Sequence, residues 1–307
     1  MPELRWEKAA DACGADSRAA DIFAEGLSVN GWRIDRKGRL FARGPVTRVQ
    51  FGWGAGHPDV RVAAGPPFGS AVRPTRMTVV PDQALGLLLT EQGAAGSIAH
   101  LPYPVPDPFF DWSDAGPVFQ VTRRHRLQAR PRLVVAGDWR LGHALTRVLP
   151  AARRVLSAGG ELVLLDALGD RARIAPAVAA MGLQEAAVFL PPLSDTELAG
   201  LFHSADLFMQ ADVHGGYPAL MRWALASGLP AVGIDDPLTR RAAEHSFVAV
   251  DPSRNDVWPE AVAATLDDGR LREEIIRRAA QSLDAARLSR VVPALTAILQ
   301  ESGGGGP

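Results

Sequence analysis

The feature that most limits how this chain can fold is an alternation, from Arg132 onward, of short apolar runs with longer apolar-periodic segments. The runs Arg132–Ala136, Glu161–Leu165, 188–190, Leu207–Gln210, 229–234 and 247–250 are rich in Val, Leu, Ile and Phe and have strand length. Between the first two, Val148, Leu149, Ala152, Val155 and Leu156 share one helical face, closed by Gly159-Gly160. A helix is predicted over 174–181, with Gly182 after it. Ser194-Asp195-Thr196-Glu197 reads as a capping box opening a helix that buries Leu198, Leu201 and Phe202. Residues 221–227 read as a helix ended by Gly228, and late helices are expected over 258–266 and 271–288. Buried strands alternating with helices imply a parallel sheet covered on both faces. Ligands of such sheets bind outside the carboxyl ends of the strands, where helix N-termini converge.

The N-terminal half is less regular. A helix is expected over 17–27, a hairpin or strand pair over 32–40, and a strand over 46–51. The Gly- and Pro-rich stretch 51–76 reads as loop, followed by a strand at Met77–Val80, a helix over 82–91 and a strand over 97–101. Pro102, Pro104, Pro106 and Pro108 make a stiff extended connection, since each removes a donor and restricts its predecessor. At 307 residues the chain suits two domains. They are expected at 1–120 and 121–302, with a boundary near 110–130 and a disordered tail at 303–307.

Composition narrows the partners. The formal net charge of -1 gives no general argument for nucleic acid or an anionic surface. The run Arg123-Arg124-His125-Arg126 is read as a solvated loop. Cys13 is the single cysteine, so neither an internal disulfide nor a Cys-based metal site can form. The N-terminus lacks an apolar signal core and no stretch is long and apolar enough to span a membrane, so the cytoplasm is the expected location. No metal-ligand spacing is present. Lys8 and Lys37 are the only lysines, so a phosphate grip would fall to Arg, His or backbone amides.

Several strings in this order resemble the donor-binding half of GT-B glycosyltransferases of the group-1, family 4-like type. They are Val188-Phe189-Leu190-Pro191-Pro192 running into Ser194-Asp195-Thr196-Glu197-Leu198, then His203-Ser204-Ala205-Asp206-Leu207-Phe208, then Ala224-Leu225-Ala226-Ser227-Gly228-Leu229-Pro230-Ala231-Val232. Upstream, 102–110 resembles the domain-crossing stretch of that family, and His57-Pro58-Asp59-Val60 a strand start. The resemblance implies an α/β GT-B-like fold of two Rossmann-like lobes with parallel sheets and a cleft between them. The N-terminal, acceptor-type lobe would be shortened. It also implies a nucleotide-sugar donor, an acceptor the sequence does not identify, and no required metal cofactor.

The resemblance further implies a damaged donor site. Two glutamates that hold the donor's sugar and ribose would fall on Gly215 and Trp223, and the diphosphate-binding Arg and Lys near Asp138 and His143. None of the four is the family residue. Arg140, two positions away, is the substitute cation, and Trp223 is expected to offer a flat apolar face. What survives is Asp212-Val213-His214-Gly215-Gly216-Tyr217-Pro218, lying after a strand and before a helix. Pro218 suits a first helical turn, and the Gly pair lets backbone amides approach a phosphate. The expected donor or phosphate site is therefore His214, Gly215, Gly216, Tyr217, Arg140, Arg222 and Trp223; no catalytic residue is identified. His57, His100 and His203 read as structural, Asp235-Asp236-Pro237 as a turn, and Trp53 as a gap-filler or sugar-stacking residue. The function implied is sugar transfer from a nucleotide-sugar; the alternative is a catalytically inactive, glycosyltransferase-derived binding or scaffold protein. A GT-B sugar-nucleotide epimerase would need an acid/base set the sequence does not display.

Overall fold

The computed structural model describes residues 3–8, 21–25, 33–35, 47–51, 60–62, 75–81, 83–93, 96–136, 143–157, 159–165, 171–210 and 219–303. Its first sheet is built from β1 (Glu3–Lys8), β2 (Arg33–Asp35), β3 (Thr47–Phe51), β4 (Val60–Val62), β5 (Met77–Val80) and β6 (Ser97–His100), with helices α1 (21–25) and α2 (Gln83–Glu91). The strand order is β2-β1-β3-β4-β5-β6 and every pairing is parallel. This is a doubly wound order whose direction reverses between β1 and β3. Val79, Val80, Leu85 and Leu89 are buried in its core, as are Ile22 and Phe23 of α1.

Of the hairpin or strand pair expected over 32–40, residues 36–40 lie outside the described residues, and one strand, β2, is described, paired in parallel with β1 (Glu3 opposite Arg33). Its partner was illegible because Glu3, Arg5, Glu7 and Lys8 interrupt Leu4 and Trp6, and a strand inside a parallel sheet usually reads as a continuous apolar run. Within the loop-rich stretch, β4 begins at Val60, where the His57-Pro58-Asp59-Val60 string implied a strand start, and its three residues are all buried, Arg61 included.

The second sheet follows the sequence reading closely. A 3-10 turn (Asp107–Phe110) and α3 (Gly116–His125) lead into β7 (Arg132–Ala136), α4 (His143–Leu156), β8 (Glu161–Leu165), α5 (Arg171–Ala180) and β9 (Ala187–Leu190). Then come α6 (Asp195–His203), β10 (Leu207–Gln210), α7 (Ala219–Ala226), β11 (Ala231–Ile234), α8 (Pro237–Ala242), β12 (Val248–Val250), α9 (Trp258–Asp267) and α10 (Gly269–Leu283). The order β12-β11-β10-β7-β8-β9 is parallel throughout, the arrangement of a dinucleotide-binding-type sheet, with its reversal between β7 and β10. Leu133, Val135, Leu162, Leu164, Leu207, Met209 and Val232 form its core with α4, α5 and α9.

The capping box is real: the Glu197 N–H donates to Ser194 Oγ at 3.3 Å, and the Ser194 N–H to Glu197 Oε2 at 3.1 Å. The basic run at 123–126 belongs not to a loop but to the end of α3, where cations oppose the helix's negative pole. There Arg124 pairs with Glu197 of α6. α3 and α6 approach closely enough that a Cβ at Gly200 would stand 2.5 Å from the Pro117 carbonyl, so glycine is required at that contact.

The chain's end departs from expectation. α10 stops at Leu283, a 3-10 turn covers Asp284–Ala286, and a further helix, α11 (Leu288–Gly303), follows. Val291, Val292, Leu295 and Leu299 bury one face of it. The Val105 N–H donates to Ala286 O and the Leu288 N–H to Val105 O, both at 2.9 Å. Among the described residues, those up to Val105 and those from Ala285 on form one compact unit, and those over 106–284 form the other. Of the expected tail, Gly303 ends α11 and 304–307 lie outside the described residues. Among the described residues no helix is long and apolar enough to cross a membrane.

Candidate functional site

The second sheet offers one place where ligand chemistry is favoured by topology alone. Helices on either side of a strand-order reversal lead away in opposite directions, leaving a crevice outside the carboxyl ends of the two strands. Here those strands are β7 and β10. Gln210, the last residue of β10, is in register with Ala136, the last of β7, on one side and with Gly233 of β11 on the other. The connections that follow β7 (137–142) and β10 (211–218) therefore start from neighbouring points on one edge. They carry Arg140, and His214, Gly215, Gly216 and Tyr217. These five predicted site residues lie outside the described residues, as do Trp53, His57 and Asp138. His143 begins α4, the helix after the first connection.

The other two predicted residues are placed clearly. Both lie in α7, which starts right after the second connection and is buried along almost its whole length. Met221, Arg222 and Trp223 take this helix in three directions. Met221 reaches over β11, its Cε standing 2.3 Å from where a Cβ at Gly233 would be. Arg222 Nη1 donates to Ala242 O at 3.0 Å and faces Glu244 Oε1 at 3.4 Å. Trp223 stacks on Phe109 with centroids 5.2 Å apart and planes 28° apart, and Phe109 in turn meets Phe202 at 5.9 Å. Trp223 is 2% exposed. The expected open aromatic face is thus taken by protein, because an indole surrounded by Phe109 and its neighbours gains more from burial than from display. The Arg222 guanidinium is likewise engaged inside the fold, 3% exposed. α7 ends as the sequence indicated, with Gly228 at φ 67° and the Leu229 N–H returning to Ala224 O at 3.0 Å.

The remaining candidates resolve into structural roles. Asp236 accepts from the Thr239 N–H at 3.2 Å at the head of α8. Asp235 pairs with Arg240, whose Nη2 lies 2.7 Å from Oδ2, and this bond holds the Asp235 carboxyl below its usual range. His203 ends α6, next to the amino end of β10 and so at the opposite pole from Gln210. Its Nε2 lies 3.3 Å from Phe109 O and its ring 5.6 Å from that of Trp112; burial pushes its pKa down, opposed by the Phe109 bond and by Asp111. Sequence reasoning missed Gln210 and Gly233. Gln210 is a polar residue closing an apolar strand, and Gly233 an isolated glycine inside one, a recognised mark of close backbone approach. Among the described residues no group of three His, Cys, Asp or Glu side chains is placed to hold a metal.

No protein-family profile matches the sequence, and no curated protein matches it. Solved structures match over essentially the full chain. A glycosyltransferase from Rickettsia africae superposes with a TM-score of 0.72 at 9% identity, covering 98% of each chain. Sucrose-phosphate synthase from Thermosynechococcus elongatus gives 0.73 at 13% identity, covering 98% of this chain and 99% of that one. Anabaena HepE, solved in complex with UDP-glucose, gives 0.70 at 12% identity, covering 98% and 100%. At such identities the likeness speaks for architecture. Two parallel α/β sheets of these strand orders, matched end to end by these structures, establish that the chain has the GT-B fold of glycosyltransferases.

Proposed function

We propose that this protein binds the diphosphate of a nucleotide-sugar at the edge where β7 and β10 end, and transfers the sugar to an acceptor hydroxyl. The observation that carries the reading is the register of Ala136, Gln210 and Gly233, which starts the 137–142 and 211–218 connections from adjacent points at a strand-order reversal. HepE, of like fold, binds UDP-glucose, which supports a nucleotide-sugar as the donor class. In this reading the amides of Gly215 and Gly216, with His214, Tyr217 and Arg140, take the phosphate charge. As the acceptor oxygen bonds to the anomeric carbon, the bond from that carbon to the diphosphate breaks, its electron pair passes to the departing phosphate, and the hydroxyl proton is released to that phosphate or to water. Amides and a cation already aimed at that oxygen stabilise the charge as it develops. We keep the cytoplasm as the proposed compartment.

One observation favours a second reading. Trp223, where the family resemblance implies a carboxylate for donor hydroxyls, is packed against Phe109 and supplies no acceptor. A glycosyltransferase-derived binding or scaffold protein, without turnover, would tolerate that loss.

A thermal-shift panel with UDP-, GDP- and ADP-sugars tests the proposal. A donor present at ~100 times its dissociation constant stabilises by ~2.7 kcal/mol, a rise of roughly 5–10 °C in Tm for a unit of this size. A rise with one nucleotide series is the expected result. No rise with any would leave the scaffold reading in its place.

A further inference from the structure

We propose that the solvent-facing stripe of α3 docks the second unit, weakly and reversibly, on the surface of an anionic bilayer; the inference stands apart from the nucleotide-sugar reading above. Pro117, Val121 and Arg124, spaced i, i+4 and i+7, share one face of this helix. Pro117 meets Gly200 of α6, Val121 is buried, and Arg124 pairs with Glu197 of α6. Phe119, Arg123 and the capping residue Arg126 repeat that spacing on the opposite side, and all three are exposed. Phe119 is 62% exposed, and the Arg123 guanidinium lies 5.8 Å from its ring centroid. Gly116 and Gln120 complete that side, which therefore carries no acidic residue.

Positive charge is left over on this stripe. Arg124 and Arg130 are matched by Glu197 and Asp206. Burial, aided by the Arg124 charge, pushes the His125 pKa down, so His125 adds none near neutral pH. Arg123 and Arg126 make no ion pair among the described residues. Both ends of the helix are fixed, so the stripe is presented preformed. The Gly116 N–H donates to Asp114 Oδ1 at 2.8 Å, and the Leu127 N–H returns to Thr122 O at 2.8 Å, with Arg126 at φ 55° between them and its own N–H on Arg123 O.

Size and charge together select the occupant. Ten residues of helix present a face about 15 Å long and 10 Å wide, on the order of 150 Å². A specific interface with a folded partner takes ~800 Å² from each side. A bilayer needs neither that area nor a fitted pocket. An aromatic ring settles at the headgroup level, and each cation is drawn to an anionic surface within a Debye length of it. Aromatic and cationic residues on one exposed face are the pattern of helices that lie in that interface. One ring and two cations are a small complement, so the association is weak and sensitive to salt.

Co-sedimentation of the intact chain with vesicles of phosphatidylcholine alone, and of phosphatidylcholine mixed with phosphatidylglycerol, tests this. At low salt the chain should partition onto the mixed vesicles and little onto the neutral ones, and 1 M salt, where the Debye length is ~3 Å, should release it. Arg123→Gln should lower partitioning ~5-fold, and Arg123→Gln with Arg126→Asn ~20-fold; asparagine tolerates the left-handed backbone at 126. Phe119→Gln should also lower it, and Phe119→Trp should retain it. Leu87→Gln removes an equally exposed apolar side chain (59%) from α2 and should change nothing. All these side chains are exposed, so Tm should stay near that of the wild type. Equal partitioning on neutral and mixed vesicles overturns the inference, as does undiminished partitioning of the double arginine variant. So does an equal loss in Leu87→Gln, which would reduce the effect to general adhesion. Capture by polyglutamate without capture by mixed vesicles would assign the stripe to an acidic polypeptide and overturn it too. Nucleotide affinity is read separately in every variant and should not move, so failure here and failure of the nucleotide-sugar reading appear in different measurements.

Discussion

Replacing Glu161 with leucine is expected to destabilise the second unit by ~3–5 kcal/mol, lowering its Tm by roughly 6–20 °C. Arg132 and Glu161 lie side by side at the amino ends of β7 and β8, their side chains 3% and 6% exposed and their N and O atoms 3.1 Å apart. Arg132 Nη1 also donates to Ser204 O at 2.7 Å, and Glu161 Oε1 accepts from the Ala129 N–H. Removing the carboxylate strands a guanidinium where water cannot reach it and orphans that amide. The pair's own worth is a different quantity, since bringing both charges out of water costs about as much as their attraction returns. Arg132→Met with Glu161→Leu should therefore recover most of the lost Tm. Calorimetric melting of the two single variants and the double makes the comparison. A double variant as unstable as the singles would show that the network stabilises by its geometry and not by mutual neutralisation. Because this pair sits at the pole away from Gln210, nucleotide affinity below the transition should not change.

Trp223→Glu restores the residue type that the family resemblance implies at this position, yet it is expected to cost ~5 kcal/mol or more. Loss of a buried indole from a packed core accounts for ~3–5 kcal/mol, and an unpaired carboxylate among aromatic rings adds a desolvation cost. The surroundings make this concrete. Phe109 is fully buried and stacked on Trp223, and it also meets Phe202, which meets Phe208 at 5.5 Å. A penalty of that size is a large share of the 5–15 kcal/mol typical of a whole domain. Little soluble protein, or a Tm lowered by more than 10 °C with no gain in UDP affinity, is the expected outcome. A well-folded variant that binds UDP more tightly would mean that the position still faces a donor and that the aromatic contact is incidental. The position to which the family resemblance assigns a carboxylate lies in the core, so a single substitution there does not make a ligand site.

The second sheet was legible because its four inner strands are buried on both faces. Arg132–Ala136, Glu161–Leu165 and Leu207–Gln210 begin and end where their apolar runs do. The Ser194–Glu197 cap and Gly228 mark helix ends by local hydrogen bonding, which sequence records directly. What escaped depended on distant partners. β1 is charged at alternate positions and is a strand because β2 and β3 flank it. α11 carries a clear apolar stripe at Val291, Val292, Leu295 and Leu299, but Pro293 within it argues against a helix. Its return to pair beside Val105 is a tertiary fact with no local mark. At the site, Gly215 and Gly216 lie outside the described residues, while the strand before the second connection was readable from its apolar run. The burial of Arg222 and Trp223 was not, since Ala242, Glu244 and Phe109, which claim them, are distant in sequence.

The central claim is that a nucleoside diphosphate is held by backbone amides ahead of α7. Titration calorimetry of UDP, GDP and ADP into the intact chain and into its Gly216→Val form tests it most directly. The account predicts that the wild type binds one of the three and that Gly216→Val, with Tm within a few degrees of wild type, loses at least ~10-fold in affinity, the equivalent of ~1.4 kcal/mol. Undiminished binding by a folded Gly216→Val protein would place the phosphate elsewhere and contradict the account.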